Sequence, residues 1–140
     1  MKKIILLSVL WIVLPGILLL ACSGGASTNV VGEWELVSYG PPSNPSPAAP
    51  GVDTSITFGT DGQVNGNVGC NLFGGGYEIS GTQITFAPLR STRMACMDAV
   101  GEQENAILAA FAETANFSLD GDLLTIVSAD GSSLVTLARK

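Results

Sequence analysis

Residues 66–77 read GNVGCNLFGGGY, and residues 91–96 read STRMAC. On both sides of these blocks, apolar and polar residues alternate in short runs, a pattern typical of half-buried strands. The predicted strands are 32–39, 55–58, 63–68, 77–79, 83–86, 117–119, 123–127 and 134–138. Short turns rich in glycine, such as Asp61-Gly62 and Ser80-Gly81, join neighbouring strands. We predict a turn or bulge at residues 74–76, because no Gly-Lys-Ser/Thr follows the three glycines as a phosphate loop requires.

The apolar period changes to that of a helix between Asp98 and Thr114. Four apolar side chains fall within one arc of a helical wheel, and four alanines favour helix: Val100, Ile107, Leu108 and Phe111, with Ala106, Ala109, Ala110 and Ala112. Asp98 is the predicted N-cap. Strands, then one helix, then strands predict an α+β fold: a strongly twisted antiparallel sheet curled towards a half-open barrel, with one helix packed on it.

Glu104 lies near the middle of the apolar arc of this helix. A carboxylate there must be paired, hydrogen-bonded or protonated. We predict a structural clamp in which Glu104 meets Arg93, Thr92 or the backbone amides of the glycine-rich loop. A buried carboxylate poised in a ligand cleft is the alternative.

The first 22 residues have the pattern of a secretory signal. Lys2 and Lys3 precede an apolar run over residues 4–20. The run ends LLAC at residues 19–22, which resembles the lipobox of bacterial lipoproteins, whose cysteine is acylated. We predict a lipoprotein signal peptide over residues 1–22 with Cys22 as the lipidated (palmitate-carrying) residue, a flexible tether over residues 23–30 and a folded domain over residues 31–140.

An uncleaved membrane anchor is the alternative for the same segment. Both interpretations place the domain in the cell envelope, facing outside the cytoplasm. Ser23 after the cysteine resembles the signal for the outer membrane if the cell is Gram-negative.

Cys70 and Cys96 are the cysteines that remain once Cys22 is assigned. Outside the cytoplasm such a pair favours a disulfide, which would close a loop of about 26 residues and stabilise the fold by about 3–4 kcal/mol. Two buried thiols that pack as small hydrophobic groups are the alternative. A catalytic thiol is disfavoured, because the chain has no histidine to activate it.

Composition excludes several functions. Beyond the signal segment, four basic residues face twelve acidic ones, a net charge of −8 that repels nucleic acid. The absence of histidine removes the usual activated nucleophiles and the commonest zinc ligand. The Asp-Gly turns at residues 120–122 and 130–131 lack the ligand spacing of a calcium loop. We predict no catalytic residue, no metal and no cofactor.

Five blocks of the chain resemble the META/HslJ-like domain family. They are WEL at 34–36, ITF at 56–58, GNVGCNLFGGGY at 66–77, TRMAC at 92–96 and ENAIL at 104–108, and Gly-Cys-Asn and Thr-x-Met-Ala-Cys are the most specific. The resemblance implies a small α+β domain without an established catalytic activity or cofactor. It also implies structural roles for the family-motif residues Gly69, Asn71, Tyr77, Thr92, Arg93, Met94 and Glu104. Members are often bacterial lipoproteins linked to stress tolerance.

Two functions are compatible with these patterns. The first is a monomeric, lipid-anchored envelope protein whose non-catalytic domain binds an unknown envelope protein or assists stress tolerance. The second is a carrier of a small apolar ligand inside the curled sheet, in a pocket lined by Phe58, Ile84, Phe86 and Phe111.

Overall fold

The computed structural model describes residues 29–140. Its strands are β1 (Gly32–Gly40), β2 (Ser46–Pro47), β3 (Ser55–Phe58), β4 (Gln63–Asn67), β5 (Leu72–Ser80), β6 (Gln83–Phe86), β7 (Arg90–Ser91), β8 (Thr114–Asp120), β9 (Leu123–Ser128) and β10 (Leu134–Arg139). The helix α1 (Asp98–Ala110) lies between β7 and β8. The predicted signal peptide, the lipidation of Cys22 and most of the tether lie outside the described residues. Within residues 29–140, no helix has the length and hydropathy to cross a bilayer.

The sheet closes on itself as an antiparallel barrel. Eight strands follow one another in the order β10-β9-β8-β6-β5-β4-β3-β1, and β1 also pairs with β10. The short strands β2 and β7 are additions to β1 and β5. The predicted α+β class and curled antiparallel sheet are confirmed. The barrel is closed rather than half-open, because β1 pairs with β3 near its start and with β10 along most of its length.

The N-terminal strand anchors the barrel through Trp34. Trp34 and Leu36 point inwards while Glu35 and Val37 are exposed, as the alternation predicts. The Trp34 indole donates a hydrogen bond to the carbonyl of Val30 (2.8 Å), and Val30 is itself buried. The predicted tether therefore ends before Val30, because this side chain already belongs to the core.

Residues 74–76 lie in the middle of β5 and pair with residues 63–65 of β4. The prediction of a turn or bulge there was wrong. A Cβ at Gly75 would lie 2.8 Å from Leu89, and one at Gly74 would lie 2.6 Å from the side-chain oxygen of Asn65. Strand β5 can run through this crowded position because the three glycines have no side chains.

Phe111, the residue after the last turn of helix α1, is fully buried in the core of the barrel. The Phe111 ring stacks on Phe86 with centroids 4.5 Å apart, and Phe58 packs against both. The helix is shorter than predicted, and Asp98 is not its N-cap. Met97 occupies that position and makes no side-chain cap bond. Asp98 cannot be the N-cap because it adopts a left-handed backbone conformation (φ 55°), whereas an N-cap residue is extended.

Tyr77 links β5 to the β3–β4 turn. Its hydroxyl donates a hydrogen bond to the Gly59 carbonyl (2.7 Å). Burial, and secondly the Asp61 carboxylate, raise the pKa of the Tyr77 phenol above its usual value of 10.0. The neutral phenol thus contributes stability that is present below pH 10 and is lost as pH rises through the folded-state pKa.

We expect Tyr77→Phe to lower the free energy of unfolding by about 0.5–1.5 kcal/mol at neutral pH, because it removes this bond. The difference between the two proteins should shrink above pH 10, where ionisation weakens only the wild type at this position. Urea denaturation measured from pH 7 to pH 11 checks this. A difference that stays constant over that range contradicts the assignment.

Candidate functional site

Asn71 is the centre of a hydrogen-bond network inside the stretch that resembles the family motif. Its side chain is buried, and its Oδ1 accepts from the Thr92 hydroxyl and from the Met94 backbone N–H, both at 2.8 Å. Its Nδ2 donates to Glu104 Oε1 (2.7 Å) and to the Met94 carbonyl (3.2 Å), with Cys96 Sγ 3.0 Å away. The Asn71 amide therefore joins three segments: the start of β5, the segment that contains Thr92 and Met94, and helix α1.

Glu104 is the helix's contribution to this network. It is 7% exposed, and both of its oxygens accept from Asn71: Oε2 from the backbone N–H (2.8 Å) and Oε1 from the side chain (2.7 Å). Two hydrogen bonds to a buried carboxylate compensate for its desolvation. Thr92 reaches Glu104 only through Asn71. Arg93 is exposed and makes no ion pair with Glu104, so this predicted partner was wrong. The predicted bond to a backbone amide of the glycine-rich stretch is confirmed, because the Asn71 N–H lies within residues 66–77.

Gln103 is a second buried polar residue on the same helix face, and it was not among the residues predicted from sequence. Its Nε2 donates to the Val68 carbonyl (2.6 Å), and its Oε1 accepts from the Ala49 N–H (2.8 Å). These bonds fasten the loop between β2 and β3, and the residue that follows β4, to the helix. The signal was available, because position 103 lies three residues after Val100 and four before Ile107.

A disulfide joins Cys70 to Cys96, with their Cα atoms 6.0 Å apart. The predicted crosslink is confirmed. It lies beside Asn71 and ties the start of β5 to the segment that enters α1. The covalent bond and the Asn71 network therefore act on the same junction, which we call the helix–loop junction: Cys70, Asn71, Thr92, Met94, Cys96 and Glu104.

A metal centre does not fit this junction while Cys70 and Cys96 are joined in a disulfide. The two sulfurs and a Glu104 oxygen lie within 4.8 Å of one another. Both sulfurs, however, belong to the disulfide, so neither is the thiolate that a metal binds. The carboxylate already accepts two hydrogen bonds from Asn71. The arrangement holds chain segments together and offers no free ligand set.

Gly69 precedes the disulfide in a conformation that other residues rarely adopt (φ 115°). Its N–H donates to the Asn67 side chain (2.7 Å). A Cβ at this position would collide with Val52 and lie 3.0 Å from Val100 of the helix. The close approach of loop and helix therefore depends on glycine.

We expect Gly69→Ala to lower the free energy of unfolding by about 1–3 kcal/mol through crowding, in addition to the backbone penalty. Gly81→Ala is the matched control, because Gly81 also has a positive φ (61°) but has no atom within 4 Å of its added Cβ. Urea denaturation of both variants measures the difference. Equal losses in the two variants would show that the loop does not press on the helix.

The fold and the junction together define a class: a small antiparallel barrel closed by one helix, with a disulfide and a buried carboxylate–amide pair at the point where loop meets helix. The family model for the META domain matches residues 28–140. The chain belongs to the META domain family.

Solved structures agree with this fold. An NMR structure of a protein from Burkholderia xenovorans has 24% identity and a TM-score of 0.62, covering 78% of this chain and 81% of that chain. A second NMR structure has 26% identity and a TM-score of 0.62, covering 77% and 88%. A crystal structure of a DUF4847 family protein from Bacteroides vulgatus has 16% identity and a TM-score of 0.54, covering 78% and 92%. No curated protein matches the chain.

Proposed function

We propose that this chain is a lipid-anchored envelope protein whose META domain binds a protein partner and carries no catalytic chemistry of its own. The observation that carries the proposal is the self-sufficiency of the helix–loop junction. Among the described residues, every buried side-chain nitrogen and oxygen atom has a hydrogen-bond partner. A polar network satisfied in this way rigidifies the structure, which supports a structural role for the junction.

The residue inventory supports a binding role over an enzymatic one. Glu104 is the only acidic residue in the described part of the chain that is buried, so the paired carboxylates of a glycoside hydrolase are missing from the interior. The chain has no histidine to act as a general base. The exposed surface is then the part of the domain that is available for function.

The carrier alternative loses support from the packing of its proposed pocket. Phe58, Ile84 and Phe111 are fully buried, and Phe86 is nearly so. Three of these side chains form one aromatic cluster, with Phe58 and Phe111 centroids 6.2 Å apart and Phe86 stacked on Phe111. These rings occupy the space that the hypothesis reserved for a ligand, so we do not adopt it.

The anchor rests on the sequence of residues 1–22. The basic start, the apolar run and the LLAC ending at residues 19–22 support cleavage and acylation at Cys22. We expect the wild-type chain to incorporate an alkyne-labelled palmitate in cells and to fractionate with membranes. A Cys22→Ala variant that still incorporates the label would contradict the anchor.

Partner binding is tested by crosslinking intact cells and isolating the full chain from solubilised membranes. We expect one envelope protein to be enriched over a control in which an unrelated lipoprotein is isolated in the same way. Recovery of no protein above that control would count against a binding role. The lipid and partner tests fail separately, so each half of the proposal can be judged alone.

A further inference from the structure

We propose that one surface beside the helix–loop junction is a docking site for an extended, acidic protein segment with apolar side chains. We call it the methionine surface and define it by Leu72, Met94, Met97, Arg90 and Arg93. This inference deepens the proposed function, because it names the face that binds and the chemistry of the partner.

The apolar part of this surface is the most exposed in the described chain. Leu72 and Met94 are 60% exposed and Met97 is 74% exposed, whereas the other exposed large apolar side chains reach at most 46%. Single exposed apolar residues are common, but Leu72 and Met94 adjoin the Asn71 bonds and Met97 follows the disulfide, so three of them gather beside the junction, which indicates an interaction site. Two of them are methionines, whose flexible thioethers adapt to a partner's side chains.

The helix–loop junction holds these residues in place. The Met94 backbone is bonded to Asn71 through both its N–H and its carbonyl, and the Leu72 N–H donates to Thr92 (3.1 Å). Met97 follows Cys96, which the disulfide fixes to Cys70. A surface held by a buried network and a crosslink loses little conformational entropy on binding, which favours affinity.

The charge of the surface selects an acidic partner. Arg90 and Arg93 are exposed and form no ion pair with any described residue. The other two described cations are engaged, Arg139 with Asp122 and Lys140 with Glu33 and Asp53. In a domain with twelve acidic residues, Arg90 and Arg93 place two unpaired positive charges three residues apart in one segment, which attracts carboxylates and repels basic segments.

The backbone at this surface favours an extended partner. β7 pairs with β5, and no described strand pairs with its other edge. The Thr92 N–H faces β5 and donates to the Leu72 carbonyl (3.0 Å). Because backbone groups alternate between the two edges of a strand, those of Ser91 face the open edge, where an added strand can bond to them.

A lipid surface fits these observations less well. Two cations give weak attraction to anionic head groups, and the net charge of −8 opposes it. The surface also lacks the aromatic side chains that favour membrane interfaces. We therefore commit to a protein segment.

The test uses the full chain in detergent micelles and fluorescence anisotropy, with empty micelles as the blank. The probe is a labelled synthetic peptide of about twelve residues in which aspartate alternates with leucine. We expect the double variant Arg90→Glu/Arg93→Glu to bind it about tenfold more weakly, and Met97→Ala and Leu72→Ala to weaken it several-fold. A peptide in which lysine replaces aspartate should bind far more weakly to the wild type.

Matched controls lie on the other side of the barrel. Glu35→Lys reverses an exposed charge of β1 that forms no ion pair with any described residue, and Leu123→Ala removes an exposed apolar side chain of β9. Both should leave the affinity for the acidic peptide unchanged. Because all these positions are exposed, thermal unfolding monitored by circular dichroism should stay near that of the wild type in every variant.

Several outcomes would overturn the proposal. One is equal binding of the acidic and basic peptides, and another is equal loss in the control variants. Binding to phosphatidylglycerol vesicles that the double variant abolishes, without peptide binding, would assign the surface to lipid. Self-association that the double variant abolishes, without peptide binding, would assign it to a second copy of the chain.

The two proposals fail separately. If crosslinking recovers an envelope partner and the double variant recovers the same amount, the methionine surface is wrong while the binding function stands. If crosslinking recovers no partner from wild-type cells, the binding function itself fails. The peptide affinity then describes a surface without a physiological role.

Discussion

Asn71→Asp is expected to destabilise the domain by about 3–5 kcal/mol, a large part of the total stability of a small domain. Its Oδ1 can still accept from Thr92 and from the Met94 N–H. The second oxygen replaces the Nδ2 donor and faces Glu104 Oε1, 2.7 Å away in the wild type, and the Met94 carbonyl at 3.2 Å. Two carboxylates then meet in a buried site. Urea denaturation at neutral pH measures the loss.

Two further variants separate the junction from a general effect of charge. Asn116→Asp makes the same change on the exposed face of β8 and should alter the free energy of unfolding by less than about 0.5 kcal/mol. The double variant Asn71→Asp/Glu104→Gln again places one amide opposite one carboxylate, so we expect it to recover part of the loss. If Asn71→Asp is as mild as Asn116→Asp, the buried pair does not hold the helix.

Removing the disulfide has the second-largest expected effect. The double variant Cys70→Ala/Cys96→Ala releases a crosslink between residues 26 apart in sequence, and we expect a loss of about 3–4 kcal/mol on the chain-entropy model. Thermal and urea unfolding of the variant measure it. Wild type unfolded in the presence of dithiothreitol is the control and should give the same stability as the variant.

The disulfide variant should retain the fold, because the Asn71 network and the closed barrel do not include the sulfur–sulfur bond. We expect its far-ultraviolet circular dichroism to match that of the wild type below the transition. A loss of less than about 1 kcal/mol would mean that the unfolded chain is not restricted by the crosslink.

Local patterns predict most of the strands, because apolar and polar residues alternate along a strand as its side chains alternate between the buried and exposed faces of the sheet. The alternations at Trp34–Leu36, Ile56–Phe58 and Ile84–Phe86 correspond to buried and exposed faces in the barrel. The closure of the barrel could not be predicted in this way. It depends on pairing β1 with β10, about 100 residues apart, and no local pattern encodes that register.

The errors fall where side chains carry no periodic signal. Residues 74–76 form a strand without side chains, so there is no alternation to detect, and their neighbours Asn65 and Leu89 supply the reason for glycine. Asp98 has the composition of an N-cap but the wrong backbone conformation. For these segments the surrounding structure determines the conformation.

The sequence predicted that Glu104 is paired and predicted one of its two bonds, but it did not predict the side chain that makes the other bond. A carboxylate in the apolar arc of the helix had to be paired, and Glu104 is. The sequence suggested Arg93, Thr92 or a backbone amide of the glycine-rich stretch, and the Asn71 N–H is such an amide. Asn71 is the actual partner, because its backbone and side chain present two donors with the right spacing across 33 residues of sequence.

Hydrogen exchange at the Asn71 backbone amide tests the account most directly, because this N–H donates to Glu104 Oε2. In the wild type we predict that it is protected and opens with the same free energy as the Ile107 amide of the helix. In Glu104→Ala both amides should lose protection together. An Asn71 amide that exchanges rapidly in the wild type, while Ile107 stays protected, would show that helix and loop are not joined at this point.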